Sequence, residues 1–114
     1  ALDSKRNEIF AQAFDGKKRP LSTPECVAPR QALMMAPPGD TILAGDATPR
    51  LLTAAAHAPD AFYDCTAHSL PRAGNVALIA ASRWESGENL APVPMYLRAP
   101  DARRIEDQGP QKKK

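Results

Sequence analysis

Aromatic residues are scarce in this sequence: one tryptophan, two tyrosines and three phenylalanines among 114 residues. Much of the 43% hydrophobic fraction is alanine, which buries little area per residue, so one thin core is expected and two are excluded. No apolar run reaches the eighteen residues that a membrane-spanning helix needs. Cysteine occurs only twice, at Cys26 and Cys65. Two distant cysteines in a chain of this size do not make a disulfide scaffold, and they read as free thiols in a reducing, cytoplasmic setting. The opening residues carry neither an initiator methionine nor a basic-then-apolar signal pattern, the reading expected of a processed chain or of a piece of a longer one.

Signature motifs of enzymes are also missing. There is no GxSxG elbow, no phosphate-binding glycine loop and no dinucleotide fingerprint. The stretch "ILAGDATP" places one glycine and an acidic residue between a strand and a helix. Asp46 would repel a phosphate there, so a plain turn opening a helix is the better account. Cys26, His57, Cys65 and His68 include the close pair "CTAH", but zinc sites use two tight ligand pairs and this set supplies one, which argues against a metal. The carboxylates Asp3, Glu8, Asp15, Asp40 and Asp46 sit at turns and strand ends, where solvated side chains are the rule, and none forms an obvious acid/base pair. No catalytic, cofactor or metal residue is therefore assigned.

Charge is nearly balanced, with a formal net charge of +2. The basic residues gather at Lys17 to Arg19, at Arg103 with Arg104, and at Lys112 to Lys114. This density suits solvated loops and a polar tail better than a nucleic-acid face, and weak RNA contact through Lys17, Lys18, Arg19 and the terminal lysines stands as a third-ranked reading.

The chain predicts an alternation of short strands and helices. "ALD", the turn "SKRN" and "EIFAQAFD" form a hairpin with a very short first strand; Ile9, Ala11 and Ala13 face one side and Phe10, Gln12 and Phe14 the other, so both faces of the second strand are expected to be covered. "LSTPECVAP" reads as an edge segment because Pro20, Pro24 and Pro29 interrupt any central ladder. "PRQALMMA" follows as a helix with proline in its first turn. Thr41 to Ala44 is a brief strand, and a helix opens at Thr48 or Pro49 and runs to about His57 with an apolar stripe of Leu51, Leu52, Ala55 and Ala56. "AFYDCTA" supplies another short strand. The last helix, within "SLPRAGNVALIAASRWESG", is expected to be capped by Ser69 and stopped by Gly87, with Ala73, Val76, Ala77, Ala80 and Trp84 turned to the core. Met34 and Met35 are read as core filler or interface by the same reasoning. The order β, β, β, α, β, α, β, α matches one lobe of the ribonuclease-H-like layout of the actin, sugar kinase and chaperone superfamily: α/β, a mixed sheet with an antiparallel start and flanking helices.

Three stretches together resemble one family. They are "LDSKRNEIFAQAFD", "ILAGDA" and "PVPMYLRAPDA", and the chain is similar to the C-terminal half of the TsaB (formerly YeaZ) family, glycoprotease-like proteins required for threonylcarbamoyladenosine formation in transfer RNA. Members carry an Asp-Ala-Arg-Arg-x-Glu-Val-Tyr type hairpin, matched by Asp3 to Phe10 with Ser4 and Phe10 as departures, and a Pro-x-Tyr-Leu-Arg-x-Pro-Asp-Ala type ending, matched by Pro94 to Ala102. The resemblance implies a lobe over residues 1–102 followed by a polar, disordered tail over 103–114. It implies a non-catalytic scaffold that supports the catalytic subunit TsaD, with a TsaE-like ATPase as further partner, transfer RNA reached indirectly, homodimerisation open, and no membrane. The structural motif residues are Pro94, Tyr96, Leu97, Arg98, Pro100 and Asp101, with Tyr96 and Leu97 packing back on the lobe, Arg98 held near the surface and the prolines stiffening the segment. The enzyme alternative is a glycoprotease-like or kinase-like lobe binding metal or ATP.

Overall fold

The structure is a computed structural model and describes residues 1–56, 61–65, 70–89 and 91–99. Eight elements follow the expected order: β1 (Leu2–Asp3), β2 (Ile9–Ala11), β3 (Glu25–Val27), α1 (Pro29–Met34), β4 (Thr41–Leu43), α2 (Thr48–Ala54), β5 (Phe62–Asp64) and α3 (Ala73–Glu85). The domain is a small mixed α/β unit, with β1, β2 and β3 antiparallel in one sheet and β4 parallel to β5 in a second.

Local chemistry accounts for the short elements. In the first hairpin, Lys5 adopts a left-handed φ of 60°; the Asp3 carboxylate accepts its N–H at 2.9 Å, and the Ser4 hydroxyl donates to the Glu8 carbonyl. Such Asx and Ser turns supply the backbone with partners where the ladder ends. The next turn is organised by Asp15, whose carboxylate accepts the N–H groups of Lys17 and Arg19 at 2.8 and 2.9 Å. In α1, Gln31 reaches back to accept the Ala28 N–H at 3.2 Å, half of a capping box, and Pro29 occupies the first turn where its missing donor costs nothing. Helix α2 also begins with a proline near its start.

Two backbone bonds close the gap between the sheets. The Ala1 nitrogen donates to the Ala44 carbonyl at 2.6 Å, and the Ala47 N–H donates to the Ala1 carbonyl at 3.4 Å. Donating to an earlier residue and accepting from a later one is the pattern of a parallel neighbour, so the chain at Ala1 sits between β2 and β4. Gly45 makes this approach feasible: its φ is +107°, and a Cβ at that position would lie 1.8 Å from the Ala1 carbonyl oxygen.

The core is as thin as the composition requires. Ile9, Leu43, Ala47 and Leu51 form its buried centre, with Ala11, Ala32, Leu33, Leu52 and Phe62 packed around them. The strand face carrying Ile9 and Ala11 is closed by α1 and α2. The opposite face is covered only in part, because Phe10 is half-buried and Phe14 is 51% exposed; the expectation of cover on both sides is corrected accordingly.

Helix α3 brings the largest correction. It begins at Ala73, with Arg72 as its N-cap and no side-chain cap; Ser69, the expected cap, lies outside the described residues. Its C-terminus follows the sequence: Gly87 has φ 87° and donates to Trp84, while Glu88 donates to Arg83, both at 3.0 Å, a Schellman closure. Of the stripe expected in the core, Ala73, Val76, Ala77 and Trp84 are instead exposed, Trp84 at 70%, and Ala80 is half-buried. Apolar spacing signals which face can be buried, and here no element among the described residues buries it. Met34 is likewise exposed, and Met35 half-buried.

Two substitutions test this core. Leu51→Ala removes the side chain at its centre and is expected to cost ~2–5 kcal/mol, read as a lower urea midpoint at unchanged m. Thr48 is buried with its hydroxyl unpartnered among the described residues, so Thr48→Val relieves an unsatisfied group and is expected to raise stability by ~1 kcal/mol in the same titration.

Candidate functional site

Two features concentrate specific interactions: a polar junction at the base of the first hairpin and an apolar cleft beside it. At the junction, Asp46 sits in the turn after β4 and its Oδ1 accepts the Asp3 N–H at 2.7 Å. From the first turn of α2, Arg50 reaches the same hairpin. Its Nη1 donates to Asp3 Oδ1 at 3.0 Å and to the Glu8 carbonyl at 3.1 Å, and its Nη2 donates to the Asn7 carbonyl at 2.6 Å. One planar guanidinium thus holds a carboxylate and two carbonyls, which its fixed fork of donors suits better than an ammonium would.

Asp3 is held below the usual carboxylate range, first by the backbone N–H and side chain of Lys5 and further by Arg50. Asp15 is shifted the same way by the backbone and side chain of Arg19, which pairs with it at 2.7 Å. These contacts explain the charged residues of the hairpin as structural groups. Nothing in the sequence pattern pairs Arg50 with Asp3, since the two lie on different elements.

The cleft is a cavity of about 530 Å³, within the ~300–1,000 Å³ range of small-ligand and peptide pockets. One wall is the continuation of β2, Ala11 to Gly16, and the other is Asp40 to Ala44. Ala1 closes one end, and the floor is apolar, made by Leu33, Ala36, Leu51 and Phe62 among others. Asp15 and Asp40 line the end away from Ala1. A second, shallower hollow of about 310 Å³ lies where Val76 and Ile79 of α3 approach Leu2 and Ala44.

Of the residues singled out from the sequence, Asp3, Glu8 and Asp46 meet at the junction and Asp15 and Asp40 line the cleft, whereas the described closing-motif residues and the two cysteines belong to neither feature. Residues 91–99 form no strand or helix; Pro94 is exposed, and Tyr96, at 85% exposure, does not pack back on the fold. Leu97 and Arg98 are half-buried. Pro100, Asp101 and the tail from Arg103 lie outside the described residues, as do His57, His68 and the terminal lysines. Cys26 and Cys65 are free thiols. Among the described residues no three His, Cys, Asp or Glu side chains cluster to hold a metal, and no helix is long and apolar enough to cross a membrane. Of the basic loop, Arg19 is engaged by Asp15 while Lys17 and Lys18 are exposed.

These features define a small mixed α/β domain with a strand-lined cleft. No protein-family model, no curated protein and no solved structure matches the chain.

The junction makes a stability prediction with a definite sign. The lowered pKa of Asp3 means that the folded state prefers the ionised carboxylate, so its contribution is complete above the usual carboxylate pKa of ~3.9 and is lost as pH falls through the lower folded value. Asp3→Asn is expected to flatten the acid limb of the stability curve, measured by urea unfolding between pH 2 and 6. Arg50→Ala, which also abandons the Asn7 and Glu8 carbonyls, is expected to cost ~1–3 kcal/mol at neutral pH. An unchanged midpoint would remove Arg50 from this role.

Proposed function

We propose that the chain is a non-catalytic scaffold lobe of the TsaB type, supporting the TsaD subunit in the formation of threonylcarbamoyladenosine in transfer RNA. The observation that carries this reading is the layout of the sheet. An antiparallel start, β1 to β3, is continued through Ala1 and Ala44 by β4 and β5, which run parallel and alternate with α1, α2 and α3. That sequence of elements agrees with the ribonuclease-H-like layout which the resemblance implies, and so supports the reading. The family-type hairpin also has a physical use here: its Asp3 anchors Arg50, and its turn is closed by Ser4 and Glu8.

A scaffold role further agrees with where the apolar surface lies. Val76, Leu78, Ile79 and Trp84 on α3, with Val93, Met95 and Tyr96 beyond it, are all exposed. Patches of this kind mark surfaces that meet another macromolecule. The closing motif is therefore assigned to contact with a partner, since Tyr96 is turned to solvent and not packed against this lobe.

A lobe exchange tests the reading. The chain is substituted for the corresponding half of a TsaB-family protein, and the hybrid is expressed in cells depleted of the endogenous one. Restored threonylcarbamoyladenosine in bulk transfer RNA, read by mass spectrometry of nucleosides, is the expected result. A hybrid that folds and co-purifies yet restores none would overturn the assignment, as would stoichiometric binding of zinc or ATP to this chain by calorimetry.

A further inference from the structure

Strand pairing sorts the sheet side chains onto two faces. Leu2, Phe10 and Cys26 stand opposite one another across β1, β2 and β3, and Ile42 stands opposite Tyr63 across β4 and β5. Side chains alternate along a strand, so these residues point away from Ile9 and Leu43, which belong to the core on the side of α1 and α2. The outer face is therefore apolar as well. Phe10 and Cys26 are half-buried, Leu2 is exposed and Ile42 is 71% exposed. A parallel pair such as β4 and β5 is ordinarily covered on both faces.

Helix α3 lies at this face without closing on it. Val76 and Ile79 approach Leu2 and Ala44 across the hollow of about 310 Å³, which Leu70 and Pro71 also line. Ala44 is two residues beyond Ile42 and shares its face. At about 100° per residue, Val76, Ile79 and Ala80 fall on one side of the helix and Leu78 on the other. Ala80, within that stripe, is half-buried. The side-chain bonds at the helix end, from Arg83 to Glu88 and from Ser86 to the Arg83 carbonyl, are local, and Arg72 supplies no side-chain cap. A helix of 13 residues is marginal in water by itself, and Gly74, Asn75, Val76 and Ile79 lower its propensity further. Packing must hold it.

We infer that α3 is a hinged cover for the outer sheet face and that the hollow is the gap through which it closes. Seating brings Val76, Ile79 and Ala80 down onto Leu2, Ala44 and Ile42. Water leaves both apolar surfaces, a gain that needs no directional bond. The hinge lies at Arg72, whose backbone is extended with φ −108° and ψ 128°, so the helix turns about it as a rigid body. Leu78, on the opposite side, stays exposed in both positions. The position of the helix thereby sets how much apolar surface the domain offers to a partner: the seated form withdraws Val76 and Ile79, and the raised form presents them. This inference stands on the face pattern of the sheet and does not depend on the TsaB-type reading.

The test is NMR of the full, isotopically labelled chain. Nuclear Overhauser contacts between the Ile79 and Ile42 methyl groups are expected, together with slowed amide exchange from Ala80 to Ser82. Ile79→Ser and Ile42→Ser are each expected to speed that exchange about tenfold, while the Leu51 amide in the core exchanges as before. Leu78→Ser changes the helix's propensity by a similar amount and is expected to have little effect. Both isoleucines are exposed in this structure, so neither variant empties the core, and Ile42→Ser leaves the sequence of α3 untouched. The inference is overturned if the wild-type chain shows no contact between Ile79 and Ile42, if Leu78→Ser loosens the helix as much as Ile79→Ser, or if Ile42→Ser leaves exchange in α3 unchanged. It is also overturned if the contact appears only between differently labelled molecules in a mixed sample, which makes the cover the helix of a second copy.

Discussion

The bonds around Asp3 decide whether the two sheets of this chain form one unit or two fragments. β1 contains two residues and β2 three, lengths at which a hairpin has little stability of its own. What holds it against the rest is Arg50, bonded to Asp3, Asn7 and Glu8, together with Asp46 on the Asp3 amide. Both partners come from the turn and first turn that follow β4. The antiparallel and parallel halves are thus joined by side chains as much as by backbone, and Gly45 leaves the space in which they meet. Partly buried charge-assisted bonds of this sort exceed the worth of an exposed ion pair because their geometry is fixed and their alternatives are few.

The hydrophobic centre beneath the junction is small because the sequence supplies so few large side chains to it. Among the described residues Ile9, Leu43 and Leu51 are its only large buried members, with Ala47 and Ala55 completing it. Half of the large apolar residues that are exposed among the described ones lie on α3 and on residues 93–96. Apolar surface left in water forfeits ~25 cal/mol per Å² that burial would return. Such a distribution is costly for an isolated domain and sensible for one that completes its packing against something else.

The order and approximate bounds of the elements were legible in the sequence because the signals are local. Proline in the first turns of α1 and α2, glycine at Gly45 and Gly87, and strand alternation around Ile9 each act within a few residues. The edge position of β3 followed from its prolines in the same way. The failures came where a local pattern has two physical outcomes. A stripe of Val76, Ala80 and Trp84 looks the same whether its cover lies in the same chain or in another, so it was assigned to a core that does not include it. Tyr96 between prolines was misread for the same reason. Arg50 left no local trace at all, since its partners lie more than forty residues away. The cleft was invisible too, because it is bounded by backbone groups whose direction depends on pairing.

The two exposed features differ in what they require of a partner. Helix α3 satisfies its own backbone, including its last carbonyls through the closure at Gly87 and Glu88, so any surface of matching shape can cover its apolar side chains. The cleft is bounded instead by backbone edges, from Ala11 to Gly16 on one side and from Asp40 to Ala44 on the other, with Ala1 at its end. Burying such peptide groups is favourable only where their hydrogen bonds are restored. The helix therefore sets few conditions on what covers it beyond apolarity, whereas the cleft sets polar ones as well.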